Sequence, residues 1–238
     1  MAVDRPPLYD PADPRTGRQR HPGGVVDISW LGHACIRLRT LQTSVVMDPC
    51  DRSSGFDMGR PNADVVTVSH PDPAHAFVRG VRGEPFMIDG PGEYEIKGVQ
   101  LTGIATYLTP PAEGRAPQRN TAYLLEAEEL RLVHLGGLGA PLTAGQSELL
   151  ANIDILVLPI GGDGALTPEQ AARTVRALEP AVVIPVHFPW PKGPRDDGPL
   201  KQFITNMGVE PEPAAARLSI QRRALTEMLR LVLLEPRG

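Results

Sequence analysis

The run Val65-Val66-Thr67-Val68 is apolar and β-branched, and Ser69-His70-Pro71-Asp72-Pro73-Ala74-His75 cuts it off within a few residues. A run of that length and composition reads as a buried strand. Pro71 and Pro73 each fix φ and remove a backbone N–H, so the chain past Ser69 turns stiffly instead of extending a ladder. The result is a strand end carrying two imidazoles and a carboxylate, the groups from which metal sites are assembled.

The strand signal recurs at short spacing. Residues 25–31, 34–39 and 44–49 precede the histidine loop, and residues 85–88, 96–104, 121–126 and 130–135 follow it, the last two as a hairpin. Only after Thr143 does the pattern change. Thr143 caps a short helix through Leu150, and residues 153–158 form a strand. Thr167-Pro168-Glu169-Gln170 then opens a helix with an N-cap threonine, an N1 proline and a glutamine three residues past the cap, and residues 181–186 are a strand again. Strands in the first half and β-α-β units in the second predict an α/β chain of two sheets packed face to face with helices outside. Pro6, Pro7, Pro11, Pro14 and Pro22 among small and charged residues mark 1–24 as a flexible tail, which leaves 25–238 as one domain. Residues 217–220 and 228–234 are expected at sheet edges.

Of the 238 residues, 41% are hydrophobic and 22% charged, enough to bury a sizeable core. A net charge of −4 without a basic stripe argues against a nucleic-acid partner. Cys35 and Cys50 are too few for a disulfide framework and are read as core residues of a protein in a reducing, cytoplasmic compartment. The first residues lack the apolar stretch of a signal peptide, and nothing approaches the ~18 apolar residues of a membrane span.

Taken with its flanking motifs, the histidine loop resembles the metallo-β-lactamase superfamily, in its broad branch of Zn-dependent hydrolase-like proteins. The matching pieces are Leu31-Gly32-His33-Ala34, Met47-Asp48-Pro49, Val66-Thr67-Val68-Ser69-His70, Asp89-Gly90-Pro91-Gly92-Glu93-Tyr94, Val133-His134-Leu135-Gly136-Gly137-Leu138-Gly139, Leu158-Pro159-Ile160-Gly161-Gly162 and Ile184-Pro185-Val186-His187-Phe188. The resemblance implies a four-layer αββα sandwich of two mixed β-sheets, with metals held at strand ends along one edge. The family's loop pattern is His-x-His-x-Asp-His, and here its second His is Asp72 and its Asp is Ala74. Carried over by position, one metal would use His70, Asp72 and the place of Leu108. The other would use the place of Ala74, His75 and His187, with a bridging carboxylate where this chain has Gly137.

Ala74, Leu108 and Gly137 offer no side-chain donor, and their loss touches both metals and the bridge, so a dinuclear hydrolase of the usual kind is not expected. The expectation is an eroded site in which His70, Asp72, His75 and His187 hold no metal or one divalent ion, zinc or manganese. Its groove would bind a small molecule or partner with little or no catalysis. The alternative is a mononuclear hydrolase acting on an ester, amide or phosphoester bond, with Asp72 and His33 as candidate catalytic groups. His33 reads first as a turn histidine bonded to a neighbouring loop. His134 reads as a satisfied core histidine, and as the substitute ligand if the site has moved. Asp48 is expected to orient a ligand histidine or to accept backbone N–H bonds. Glu93 and Tyr94 read as structural, and Gly161-Gly162-Asp163-Gly164 lacks the Gly-Lys-Ser/Thr ending of a phosphate loop. Exposed edge strands near the C terminus leave a homo-oligomer open.

Overall fold

The computed structural model describes residues 23–110, 113–114, 116–162, 164–190 and 198–237. Most of the expected tail, residues 1–22, lies outside the described residues, as do Asp163 and residues 191–197. Strands β1 (Val26–Gly32), β2 (Cys35–Arg39), β3 (Ser44–Met47), β4 (Val65–Thr67) and β5 (Phe86–Ile88) form the first sheet with β12 (Leu218–Ile220), in the order β12-β1-β2-β3-β4-β5. Strands β6 (Gly92–Ile96), β7 (Val99–Tyr107), β8 (Arg119–Ala127), β9 (Leu130–His134), β10 (Ile155–Pro159) and β11 (Val182–Val186) form the second with β13 (Arg230–Leu231), in the order β13-β11-β10-β9-β8-β7-β6. Both sheets are mixed. β3, β4 and β5 run parallel in the first, and β9, β10, β11 and β13 in the second.

Side-chain alternation decides how the sheets meet. Ile28 and Trp30 of β1 and Ile36 and Leu38 of β2 point to the same side and are at most 1% exposed. They pack with Leu101, Tyr123, Leu125 and Leu132 of the other sheet in one core. Burying each such side chain is worth roughly 1.5–3 kcal/mol. β10 and β11 are buried along their whole length, as parallel strands are when helices cover their outer face. That cover includes α2 (Pro168–Leu178), which starts at the capping box of Thr167 and Gln170 and buries Ala171, Ala172, Val175 and Leu178. α3 (Pro199–Met207) packs beside α2, and the short α1 (Ala144–Leu149) opens on a second capping box at Thr143.

The outer face of the first sheet is built differently. Leu31, Cys35, Val46 and Val66 form a smaller apolar cluster there under Met58, Ala63 and Val81, and no α-helix contributes to it. The cover comes from the segments flanking β4, which contain the 3-10 turns Arg52–Ser54 and Val78–Gly80.

One expectation is corrected. Residues 96–104 are two strands, because Lys97 and Gly98 both take positive φ (48° and 78°) and close a two-residue hairpin between β6 and β7. Glu93 and Tyr94 therefore lie inside β6, not in a turn ahead of it. No helix among the described residues is long and apolar enough to cross a membrane.

Candidate metal site

Residues just past β1, β4, β7, β9, β10 and β11 line one cavity of about 820 Å³, with His33, His70, Asp72, His75, Leu108, Gly137, Gly162 and His187 on its wall. Convergence at carboxyl ends of strands is where open α/β sheets place ligands. Three residues here turn the chain sharply. His33, Asp48 and His187 have φ of 49°, 49° and 59°, a left-handed conformation that costs a non-glycine residue on the order of 1 kcal/mol. The turns are tied together: the His33 carbonyl accepts the His187 backbone N–H at 2.9 Å and the Trp30 indole N–H at 2.7 Å.

The hydrogen bonds fix the tautomers. Asp48 is fully buried and acceptor-only as a carboxylate. It takes the His75 Nδ1–H at 2.7 Å, the Ser69 backbone N–H at 2.7 Å and the Ser69 hydroxyl at 2.6 Å. Ser69 spends its one proton on Asp48, so the His70 Nδ1 contact at 3.0 Å is an N–H donated to Ser69 Oγ. His187 Nδ1 donates to the Gly161 carbonyl at 2.7 Å. The neutral rings of His70, His75 and His187 therefore all keep Nε2 as a lone pair. His33 Nε2 stands 3.2 Å from His75 Nε2 and is the donor in that contact.

His33, His75 and His187 form a group whose candidate ligand atoms all lie within 4.8 Å of one another. Three imidazoles so grouped match the three-ligand shell of one ion. The donor chemistry fits: a ligand histidine has its other nitrogen held by a carboxylate or a carbonyl, as Asp48 and Gly161 hold His75 and His187 here. Electrostatics favour neutral rings as well. Burial, then the His187 and His75 rings, pushes His33 far below its ordinary 6.5. Burial and His75 bring His70 down to about 4, and burial lowers His187 and His134. At Asp48 burial acts upward, but the His75 ring, its hydrogen bond, His134 and Ser69 together outweigh it and hold the carboxyl below its ordinary 3.8.

A family model described as a beta-lactamase superfamily domain matches residues 27–187. The chain belongs to the metallo-β-lactamase superfamily. It is 25% identical over 208 residues to a UPF0173 metal-dependent hydrolase of Natranaerobius thermophilus, covering 74% of this chain and 90% of that one. A second such protein, from Methanopyrus kandleri, is 25% identical over 223 residues, with 78% and 94% covered. Among solved structures, a candidate Zn-dependent hydrolase of the same superfamily from Thermotoga maritima matches with a TM-score of 0.69 and 29% identity, over 89% of this chain and 100% of that one.

The structure groups part of the ligand set that position implies, and adds one histidine to it. His75 and His187 enter the three-histidine group, and its third member is His33. His70 lies beside it, its ring centroid 4.1 Å from that of His75. Asp72 lines the cavity, but one carboxylate oxygen accepts the Ala74 N–H at 2.8 Å and the residue is exposed. His134 is buried with both ring nitrogens used, Nε2 on the Ala34 carbonyl at 2.9 Å and Nδ1 accepting the Gly136 N–H at 3.2 Å. It holds the β1–β2 turn and has no lone pair to offer as a substitute ligand. Glu93 and Tyr94 are absent from the cavity wall. The wall also carries Phe56, Phe188 and Trp190, which pack around the buried Trp30 with ring centroids 5.6, 5.1 and 5.5 Å away. His33 was within reach of sequence reasoning, because Gly32 ahead of it signals a turn, but nothing local shows that the turn returns to His75.

Proposed function

We propose that the chain is a mononuclear metal-dependent hydrolase in which His33, His75 and His187 hold one divalent ion. The supporting observation is the convergence of these three rings, two of them with Nδ1–H anchored so that Nε2 carries the lone pair, which at His75 faces His33 Nε2. Neutral imidazoles without a carboxylate suit zinc better than manganese, which prefers oxygen ligands. When bound, the ion supplies Lewis-acid polarisation of a substrate oxygen and activation of water. Asp48 and the Gly161 carbonyl keep the Nε2 atoms of His75 and His187 aimed into the cavity. His70 offers its own Nε2 as an acceptor for an O–H or N–H at the reacting end. Phe56, Phe188 and Trp190 exclude water and hold an apolar group, so the reading is an ester, amide or phosphoester with an apolar substituent.

A second reading, a groove that binds without turnover, draws support from one observation. Asp72 is the only carboxylate on the cavity wall among the described residues, and it is engaged with Ala74. Initial rates on p-nitrophenyl acetate and bis(p-nitrophenyl) phosphate separate the two. The hydrolase reading expects zinc-dependent turnover that falls by about 100-fold or more in His75→Ala, since even residues behind a ligand are worth about 10–100-fold. Zinc bound without turnover of either substrate class would leave the groove reading.

A further inference from the structure

On the outer face of the first sheet lies a second cavity of about 700 Å³, which shares no lining residue with the histidine cavity. Five arginines line it. Arg37 and Arg39 stand two apart on β2 and so on one face. Arg60 and Arg82 come from segments joined by a bridge at Asn62 and Arg82, and the Arg237 backbone N–H donates to the Trp30 carbonyl. The cavity wall itself carries one carboxylate, Asp57, which Arg52 already holds at 2.6 Å; Asp27, across the β1–β2 ladder from Arg39, is held by Arg217 and Ser219. None of the five arginines makes an ion pair among the described residues.

Four of these arginines are exposed, and singly each would be an ordinary solvated side chain. Arg37 is not. It is half-buried, and its Nε is buried without a hydrogen-bond partner. Burial, then the charges of Arg237 and Arg39, pushes its guanidinium down, and the opposing charge of Asp27 does not offset them. A buried, unpaired donor among like charges is costly unless an anion completes it. In a chain of net charge −4, five cations around one concavity are not background.

We propose that this cavity binds a compact oligophosphate, a small molecule with at least two linked phosphoryl groups. Guanidinium forks match phosphoryl oxygens bidentately. Five positive charges call for more than a monoanion, and the volume is that of a small-molecule site. The arginines ring one concavity and do not extend as the stripe that tracks a nucleic-acid backbone.

Inorganic pyrophosphate titrated calorimetrically into the full chain tests this. Affinity should fall by about tenfold in Arg37→Gln and again in the exposed pair Arg39→Gln/Arg237→Gln, each having lost a charged hydrogen bond. The exposed pair keeps the test decisive if Arg37→Gln does not fold. In His187→Ala the affinity should stay within about twofold, because the histidine cavity is separate. The proposal is overturned by no binding at millimolar pyrophosphate, by equal affinity in the arginine variants, or by a loss that follows His187→Ala instead. Tighter binding of a short single-stranded oligonucleotide through the same arginines would replace it with a nucleic-acid surface.

Discussion

At Gly137 the position of a bridging carboxylate has been given over to packing. A Cβ there would stand 2.6 Å from His70 Cε1 and 3.0 Å from Leu108 Cδ2, so the His70 ring and Leu108 occupy the space a side chain would need. Gly137→Asp therefore does not restore a second metal. It should lower stability by roughly 1–3 kcal/mol, the usual cost of overpacking, with no gain in bound zinc; denaturant unfolding with elemental analysis measures both, and a second ion in the variant would refute the packing argument. The lost donors at Ala74, Leu108 and Gly137 were legible as residue types. What the three losses leave behind was not, because His33 and His75 are 42 positions apart in the chain and only the folded turns show that contact.

Element ends show where local signals are strong. Both helix capping boxes, at Thr143 and Thr167, were readable because a cap is set by residues three apart. The hairpins were harder. Glu128 and Glu129 close β8 onto β9 at φ of 50° and 65°, in a two-residue turn that favours Asn-Gly; the strands flanking it announce the hairpin, and its residues do not. Lys97-Gly98 is half of such a signal and was passed over inside an apolar run. Glu128 has a local use, since its carboxylate accepts the Gly24 N–H at 2.8 Å. For Glu129 the left-handed backbone dominates, so Glu129→Gly should raise stability by roughly 0.5–1 kcal/mol in urea unfolding. A loss of stability would show that the Glu129 side chain matters more than its backbone.

Over the whole molecule, the burial that makes the histidine cluster neutral also makes the fold acid-sensitive. His70 titrates at about 4 when folded against an ordinary 6.5, so between these values the unfolded chain binds a proton that the folded chain does not. Stability falls across that window as pH drops, and His33, His187 and His134 add to it in the same direction. Asp48 contributes lower down, where its stabilising ionised form is lost as pH falls below 3.8. Thermal unfolding should show a midpoint that declines steadily from pH 7 to pH 4.5, and a flat profile would contradict the neutral, buried cluster. At this scale the sequence was legible as two sheets packed face to face with helices outside, but not that loops instead of α-helices cover the apolar cluster on the first sheet's outer face. Arg37, Arg39, Arg60, Arg82 and Arg237 are too scattered along the chain for any window to show that they share a cavity.

The central claim is one metal held by His33, His75 and His187, and zinc content of the purified chain tests it most directly. After dialysis against zinc, wild type should retain about one ion per chain, as a three-histidine catalytic site does, and His33→Ala should retain clearly less under the same dialysis. Two tightly held ions per chain, or one ion whose retention ignores His33→Ala, would contradict it.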